Sequence, residues 1–555
     1  MTFRVSALRD AVREPFWSVK LPSARLVALA VTVLASVARP ASAAGPADLR
    51  LVDAAAQQDW KAVRTLIGER VNVNTPRADG ATALLWAAHG DDRPTVELLL
   101  SAGAKVNAAD DHGVTPLARA CENASVAVVE ALLNAGASPN AAQSSGLTPL
   151  MIAAETGSVQ VVRSLLVRGA DVNASTTTGA TALMWAVAAP HADIVRALIE
   201  ARADVHASSK KGFTPLLFAA RNGDIEMAKI LLAAGARVND TGSDGTHALP
   251  FAIISRQDKF ALFLLDQGAD PNGSIDGVPA LHAAAGNVST WLAGWFRARG
   301  SRAVEGARTL GARGLDPARR LELVKQLLAR GADPNARITT SAVVLGYLAT
   351  PRRGAFEQNA VGTGDVRGAT ALWVAAFSAN GGGLFGEDEA YQFDSSAEVM
   401  DALLRGGADH RLATDDGTTA LMAAAGIGHR SYQPRKPRAD RSPSAEAAVK
   451  VLVEAAADVN AINEADYTAL HAAAFRGWDE VVRYLIDHGA RINARDYRGR
   501  TPFRIAEGTK QSFQFQSWPE TAALLRQLGA DTRLGIPGDI HERADREVAV
   551  GGQQP

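Results

Sequence analysis

Hydrophobic positions along most of the chain recur in pairs of short stretches with helical spacing. In residues 145–177, Leu150, Ala153 and Ala154 lie on one helical face, because positions i, i+3 and i+4 are neighbours on a helix. A second apolar stretch with the same spacing runs through residues 161–166, after a polar interval. The pattern predicts two short helices within this segment.

Residues at the ends of these stretches predict how each helix begins and ends. The Thr148 hydroxyl can cap the first helix, and Pro149 suits its opening turn, where no amide hydrogen bond is needed. Gly169 is expected to adopt the left-handed conformation that ends the second helix, and Val172 and Asn173 begin an extended finger. One such unit cannot bury its own apolar face, so its stability must come from stacking on neighbouring units.

This unit recurs along the chain at a fixed period, which two sets of turn residues mark in step. The turn before the first helix carries Gly80, Gly113, Gly146, Gly179, Gly212 and Gly245. The turn after the second helix carries Gly103, Gly136, Gly169, Arg202, Gly235 and Gly268. A period of about 33 residues with two helices per unit is typical of ankyrin repeats. Residues 145–177 resemble the ankyrin consensus at almost every marked position.

The resemblance to the ankyrin family covers about residues 48–535 and implies an all-α fold. Counting the turn after the second helix predicts an ankyrin-repeat solenoid of about twelve helix-turn-helix units with short β-finger loops. Arg70, Arg202 and Ala456 stand at that turn where most units have glycine.

The repeat spacing divides the chain into five parts. Residues 1–43 are predicted to be a signal peptide, 44–276 regular repeats, 277–464 repeats with insertions, 465–535 terminal repeats with a cap, and 536–555 a flexible tail. Insertions are expected near residues 287–315, 341–367, 378–395 and 428–444. The third insertion is acidic and the fourth is basic. Because repeats stack in register, these two loops can pair with each other, be solvated separately, or face one bipolar partner.

Residues 1–43 have the pattern of an export signal. Basic residues, the last of them Arg25, precede an uncharged run over residues 26–38, and Ala41-Ser42-Ala43 offers a small-x-small cleavage site. The run is short for a membrane span, which needs about 20 residues. We expect cleavage, no stable membrane span afterwards, and a periplasmic or secreted protein. The alternative is an uncleaved anchor and a membrane-tethered structural protein.

Composition narrows the function without fixing it. Lys and Arg number 58 and Asp and Glu 59, so no global positive field favours nucleic-acid binding, and no nucleic-acid partner is predicted. Cys121 is the only cysteine, which excludes an intrachain disulfide, and it is expected to be a small core residue.

No pattern of catalytic residues stands out. The 11 histidines are scattered singly without metal-ligand spacing, and neither a CxxC nor a GxSxG motif occurs. Catalytic, cofactor-binding and metal-binding residues are therefore all predicted to be none, and the protein is predicted not to be an enzyme. The resemblance implies that His282 and His471, at the fourth position of the Thr-Pro-Leu-His opening, hydrogen-bond between units.

One helix position of the regular units is rich in aromatic residues. The position two residues after the first buried leucine carries Trp86, Arg119, Ile152, Trp185, Phe218 and Phe251, which recur once in every unit and form a column along the stack. Two residues turn a helix by about 200°, away from the buried leucines. In ankyrin proteins that side is the groove where partners dock. The column is therefore a candidate binding surface, with packing between neighbouring helices as the alternative.

The first insertion offers a second candidate. It combines Trp291, Trp295 and Phe296 with arginines, a composition typical of binding hot spots, although packing onto the flank of the solenoid is the alternative. Together these features predict a monomeric, non-catalytic protein-protein interaction scaffold with a protein partner of unknown identity. The rival hypotheses are the membrane-tethered protein and an accessory or effector protein with a ligand site in the insertions at 287–444.

Overall fold

The computed structural model describes residues 48–288, 291–298, 317–340, 367–379, 396–427, 443–496, 499–511 and 514–535. Its contacts divide the chain into two compact units. Unit 1 is Met1–Ala219 with Asp224–Arg237, and unit 2 is Ala220–Gly223 with Val238–Pro555. The predicted signal peptide, the predicted tail, and the acidic and basic stretches of the insertions lie outside the described residues, so those predictions stay predictions.

Unit 1 is built from consecutive helix pairs. These are α1 Arg50–Ala56 and α2 Trp60–Gly68, α3 Ala83–His89 and α4 Arg93–Ser101, α5 Pro116–Glu122 and α6 Val126–Asn134, α7 Pro149–Thr156 and α8 Val159–Val167, α9 Ala182–Ala188 and α10 Ala192–Glu200, and α11 Pro215–Asn222 and α12 Ile225–Ala233. The first helices pack in order, α1 on α3, α3 on α5, α5 on α7 and α7 on α9. Their buried faces carry the small alanines and leucines of the repeat.

Unit 2 continues the pattern with longer connections. Its helices are α13 Ala248–Ile254, α14 Asp258–Asp266, α15 Ala280–Ala285, α16 Ala293–Ala298, α17 Pro317–Ala329, α18 Ala371–Ser378, α19 Ser396–Arg405, α20 Ala420–Ala424, α21 Pro443–Glu454, α22 Ala469–Arg476, α23 Asp479–Asp487, α24 Pro502–Gly508 and α25 Pro519–Gln527. All but α16 form pairs. The predicted all-α ankyrin-repeat solenoid is confirmed, with twelve helix pairs in the described parts of the chain.

Strands are few and short. Strand β1 (Ser274–Ile275) pairs antiparallel with β2 (Val278–Pro279) in a finger, with Ser274 opposite Pro279. Strands β3 (Thr509–Gln511) and β4 (Gln514–Gln516) form a hairpin between α24 and α25. Within the described ranges, two isolated bridges mark further fingers, as expected for short β-finger loops.

The caps and turns follow the physical rules that the sequence suggested. The Thr148 side chain accepts the Met151 amide at the start of α7, at 3.4 Å. Gly169 has a φ of +83°, in the left-handed region where glycine is favoured. Arg70, Arg202 and Ala456 take the same kind of conformation at the equivalent turn, with φ of 59°, 67° and 65°. The turn is therefore set by the backbone path, and glycine only lowers its energy.

Asparagine side chains join most of the repeats to the one that follows. Asn74 Nδ2 donates to the Gly103 carbonyl at 3.0 Å, and its Oδ1 accepts the Lys105 amide at 2.7 Å. Equivalent donations to the following turn are made by Asn107, Asn140, Asn173, Asn239, Asn272, Asn335 and Asn460. These amides satisfy turn carbonyls that the helix ends leave without an intrahelical partner.

Extra chain separates the two helices of three consecutive pairs. Helix α15 ends at Ala285 and α17 begins at Pro317, α18 ends at Ser378 and α19 begins at Ser396, and α20 ends at Ala424 and α21 begins at Pro443. Of this extra chain, the structure describes residues 286–288, 291–298, 379 and 425–427, and α16 lies in the second of these stretches. Across the residues that the structure covers, no helix combines the length and apolar character that crossing a bilayer requires.

Candidate functional site

The inner column of unit 1 is defined as Trp86, Arg119, Ile152, Trp185 and Phe218. Each residue sits at the same place on α3, α5, α7, α9 or α11, because a threonine caps each helix four residues earlier. The column amide donates to the carbonyl of that threonine, as from Trp86 to Thr82 at 3.2 Å and from Trp185 to Thr181 at 3.2 Å. Repetition of the cap therefore fixes the register of the column.

Four of the five column side chains are partly exposed. Trp86, Arg119, Trp185 and Phe218 are half-buried, whereas Ile152 is only 3% exposed. Their neighbours along the first helices are buried alanines and leucines. Part of each large side chain thus packs on the neighbouring helices, and the rest is exposed to solvent. Ile152 therefore fits the packing alternative, whereas the other four residues form a partly accessible surface.

Three column nitrogens lack an acceptor. Nε1 of Trp86, Nε of Arg119 and Nε1 of Trp185 are buried, and no acceptor lies within hydrogen-bonding distance among the described residues. Arg119 uses its Nη1 instead to donate to Glu122, 2.8 Å away on the same helix. The edge of the Trp86 ring meets His89, with 5.7 Å between ring centroids. A buried donor without an acceptor costs about 1–3 kcal/mol of stability, and the column has such a donor in three of its five repeats.

Phe251, the column position of α13 in unit 2, has a different environment. It is only 1% exposed, and the Trp295 ring of α16 lies 5.7 Å from it. The Trp295 indole donates to Asp244 Oδ2 at 3.1 Å and to Thr246 Oγ1 at 3.2 Å. The inserted segment therefore covers Phe251 with the Trp295 ring. The indole N–H of Trp295 finds its acceptors in the finger that precedes α13.

The start of the same insertion lies against α18. Trp291 is 2% exposed and meets the Trp373 ring edge-on at 6.0 Å. Asn287 donates its amide to Ser378 Oγ at 3.0 Å. A Cβ added to Gly286 would clash with Ser378 Oγ and lie 2.9 Å from Val374 Cγ1, so the backbone approaches α18 as closely as glycine permits.

Burial bears on the two predicted binding residues of this insertion. Trp291 and Trp295 are packed against unit 2, which favours the packing alternative over exposed hot spots. Trp373, which stands one position before the column, donates its indole N–H to the Thr418 carbonyl at 3.1 Å.

The remaining column positions of unit 2 hold small or aliphatic residues. They are Ala283, Val374, Ala423, Ala472 and Ile505, and all are buried or nearly so. Within the described part of unit 2, the column position therefore offers no half-exposed aromatic side chain. The partly accessible aromatic residues of this position belong to unit 1.

The buried titratable groups have structural roles. Burial raises the pKa of the Cys121 thiol, which keeps it protonated and unsuited to nucleophilic attack. Burial lowers the pKa of both His282 and His471 to about 4. His471 contacts the Arg500 carbonyl at 3.2 Å and His282 the Ala369 carbonyl at 3.1 Å, both in the next repeat.

No metal centre emerges from the covered residues. No cluster of three or more histidine, cysteine, aspartate or glutamate side chains there could hold a metal ion.

Sequence comparison identifies the repeat independently. The family model described as ankyrin repeats (3 copies) matches residues 51–143, 138–209, 191–275 and 441–515, together more than half of the chain. The matches leave out residues 276–440, the stretch that carries the insertions.

Similarity to curated proteins is local. The chain is 38% identical over 77 residues to BCL-6 corepressor-like protein 1 of Homo sapiens, which covers 14% of this chain and 4% of that protein. It is 32% identical over 112 residues to serine/threonine-protein kinase VIK of Arabidopsis thaliana, covering 18% of this chain and 25% of the kinase. The chain thus spans a quarter or less of these relatives. On the extent of the repeat matches, the chain belongs to the ankyrin-repeat family.

Proposed function

We propose that this chain is a non-catalytic scaffold that docks a protein partner on the inner column of unit 1. The observation that supports the proposal is the difference in cover: four large column side chains of unit 1 are only half-buried, while Phe251 is covered by the chain's own Trp295. Aromatic and arginine side chains concentrate binding energy at protein interfaces. Ankyrin arrays are generally interaction modules without catalytic activity.

The burial of the insertion weighs against its use as the primary docking surface. Trp291 and Trp295, the candidates there, would have to leave a packed aromatic cluster before they could contact a partner. The rival hypothesis of a ligand site within 287–444 therefore depends on stretches that lie outside the described residues. The predicted monomeric state stays a prediction.

A binding comparison tests the docking surface. Pull-downs from the native host would use the full chain, a Trp185→Ala, Phe218→Ala variant, and a Val167→Ala control on α8, where Val167 is 84% exposed. We expect the column variant to lose partner recovery at least tenfold and the control to match the parent. Unchanged recovery with the column variant, with both variants folded by circular dichroism, would move the docking surface elsewhere.

We also propose that the protein acts outside the cytoplasm, in the periplasm or after secretion. The proposal rests on the basic and apolar pattern of residues 1–43. Sequencing the N-terminus of the mature protein tests it. A start at Ala44 supports export with cleavage, whereas retention of residues 26–38 in the membrane fraction would favour the tethered alternative.

A further inference from the structure

We infer that the partner docked on the inner column of unit 1 is an acidic segment that presents carboxylates to Trp86, Arg119 and Trp185. This inference rests on the proposed function and adds the chemistry of the partner. Its starting point is that three donor nitrogens, at one repeat position, lack an acceptor among the described residues.

Three tryptophans of unit 2 show where an indole N–H finds its acceptor when the ring is packed within the fold. Trp295 donates to Asp244 and Thr246, Trp373 to the Thr418 carbonyl, and Trp518 to the Phe475 carbonyl at 2.7 Å. The indoles of Trp86 and Trp185 have no equivalent bond within the part of the chain that the structure describes. The contrast marks the column as a surface whose polar complement comes from another molecule.

The donors define what that complement must offer. An indole N–H and a guanidinium donate hydrogen bonds but accept none, so the partner has to supply acceptors. The positive charge of Arg119 selects an ionised carboxylate over a neutral carbonyl, because charge-assisted hydrogen bonds are the stronger ones. For an indole the chain itself uses both kinds of acceptor, the Asp244 carboxylate for Trp295 and backbone carbonyls for Trp373 and Trp518, so the charge of Arg119 is what favours the acid.

Docking requires the side chains to change rotamer. The three nitrogens themselves are buried, while the side chains that carry them are half-buried. Each indole has to turn its N–H toward the partner, and Arg119 has to exchange Glu122, 2.8 Å from its Nη1, for a carboxylate of the partner. An arriving acid competes with one weak surface ion pair rather than with a buried network.

Repeat spacing sets the order of side chains in the partner. Stacked helices lie about 8–10 Å apart, and an extended chain advances about 3.3 Å per residue, so one repeat corresponds to about three residues. Carboxylates opposite Trp86, Arg119 and Trp185 then fall at about positions 1, 4 and 10 of the segment. Ile152, which is apolar and buried, faces about position 7, where an apolar residue fits.

Selection of displayed random twelve-residue peptides on the full chain tests the inference. Two variants sort the selected peptides. The surface variant, Trp185→Ala with Phe218→Ala, removes the docking face. The donor variant, Trp86→Phe with Arg119→Met and Trp185→Phe, keeps large side chains at the three positions but removes the three donor groups. We expect the selected peptides to bind the parent protein but neither variant, and to carry acidic residues near the spacing given above. Changing their Glu to Gln should weaken binding to the parent about tenfold or more.

The outcomes separate the two proposals. Peptides that the surface variant loses but the donor variant keeps, or that lack acidic residues, would overturn the carboxylate inference and leave the docking face intact. Peptides that bind every variant equally, or no peptide at all, would overturn the docking face itself. The Glu to Gln comparison uses the unmodified protein, so it remains decisive even where a variant folds poorly.

Discussion

The same helix position has opposite environments in the two units. In unit 1 it carries Trp86, Trp185 and Phe218, which are half-exposed, and two of these have indoles without acceptors among the described residues. In unit 2 it carries Phe251, buried beneath Trp295 of an inserted helix whose own indole is satisfied. For the large aromatic residues at this position, the same repeat thus gives a partly exposed side chain in unit 1 and a buried one beneath the inserted helix in unit 2, while the smaller Ile152 is buried without a cover.

The largest expected effect comes from removing that cover. Trp295→Ala deletes a buried ring that packs on Phe251 and should lower the free energy of unfolding by about 3–5 kcal/mol. Trp185→Ala, at a half-buried site, should cost about 1–2 kcal/mol. Guanidinium unfolding of the two variants measures the difference. Equal costs, or a larger cost for Trp185, would remove the distinction between a covered and an open column.

Acid should weaken unit 2 more than unit 1. His282 and His471 are buried, with pKa values lowered from 6.5 to about 4. The stability that comes from keeping them neutral is therefore fully present above pH 6.5 and is lost as the pH falls toward 4. By proton linkage, each histidine should lower the free energy of unfolding by up to about 3 kcal/mol over this pH range. The equivalent positions of unit 1 hold neutral residues such as Met151.

The corresponding measurement is the unfolding free energy as a function of pH for the parent and for His471→Met, which copies the unit 1 residue. The variant should show a shallower loss of stability between pH 6.5 and 4. An identical slope would mean that His471 is not held neutral by burial.

A smaller effect is expected where the insertion begins. Gly286→Ala places a methyl group 2.9 Å from Val374 and should loosen the insertion by about 2 kcal/mol, with a red shift of tryptophan fluorescence as Trp291 and Trp295 become exposed. Gly294→Ala on α16 is the matched control, because nothing lies within 4 Å of its added Cβ. Equal emission spectra for both variants would show that the approach to α18 is not tight.

The smallest effect should distinguish satisfied from unsatisfied indoles. Trp185→Phe removes an N–H that lacks an acceptor among the described residues, and this gain offsets the loss of part of the ring's contacts, so the stability of the free protein should change by less than about 1 kcal/mol. Trp373→Phe removes a hydrogen bond to the Thr418 carbonyl together with part of a fully buried ring, and should cost about 1–3 kcal/mol. Thermal unfolding in parallel measures both. A greater loss for Trp185→Phe would mean that its indole has a partner.

Much of the fold follows from the sequence because each signal is local. The threonine cap, the turn glycine and the apolar spacing all lie within a single repeat unit, so the helix pairs and the column register can be predicted by counting. The residues that deviate at the turn, such as Arg202, keep the backbone conformation of their neighbours. Local rules therefore suffice for the repeat.

The cover of the column could not be predicted in this way. Phe218 and Phe251 occupy equivalent positions in adjacent repeats, and what distinguishes them is Trp295, which lies outside the repeat pattern. Its bonds to Asp244 and Thr246 join residues about fifty positions apart, and no periodicity encodes that separation. The unsatisfied nitrogens of Trp86 and Trp185 also depend on three-dimensional surroundings that a sequence pattern does not contain.

Site-specific photocrosslinking tests the contrast between the units most directly. Benzoylphenylalanine would replace Phe218 in one protein and Phe251 in another, and both would be irradiated in the native host. An open column in unit 1 and a covered one in unit 2 predict an adduct with a second protein from position 218, and an internal crosslink to residues 291–298 from position 251. A second protein captured equally well from position 251, or only internal products from position 218, would contradict them.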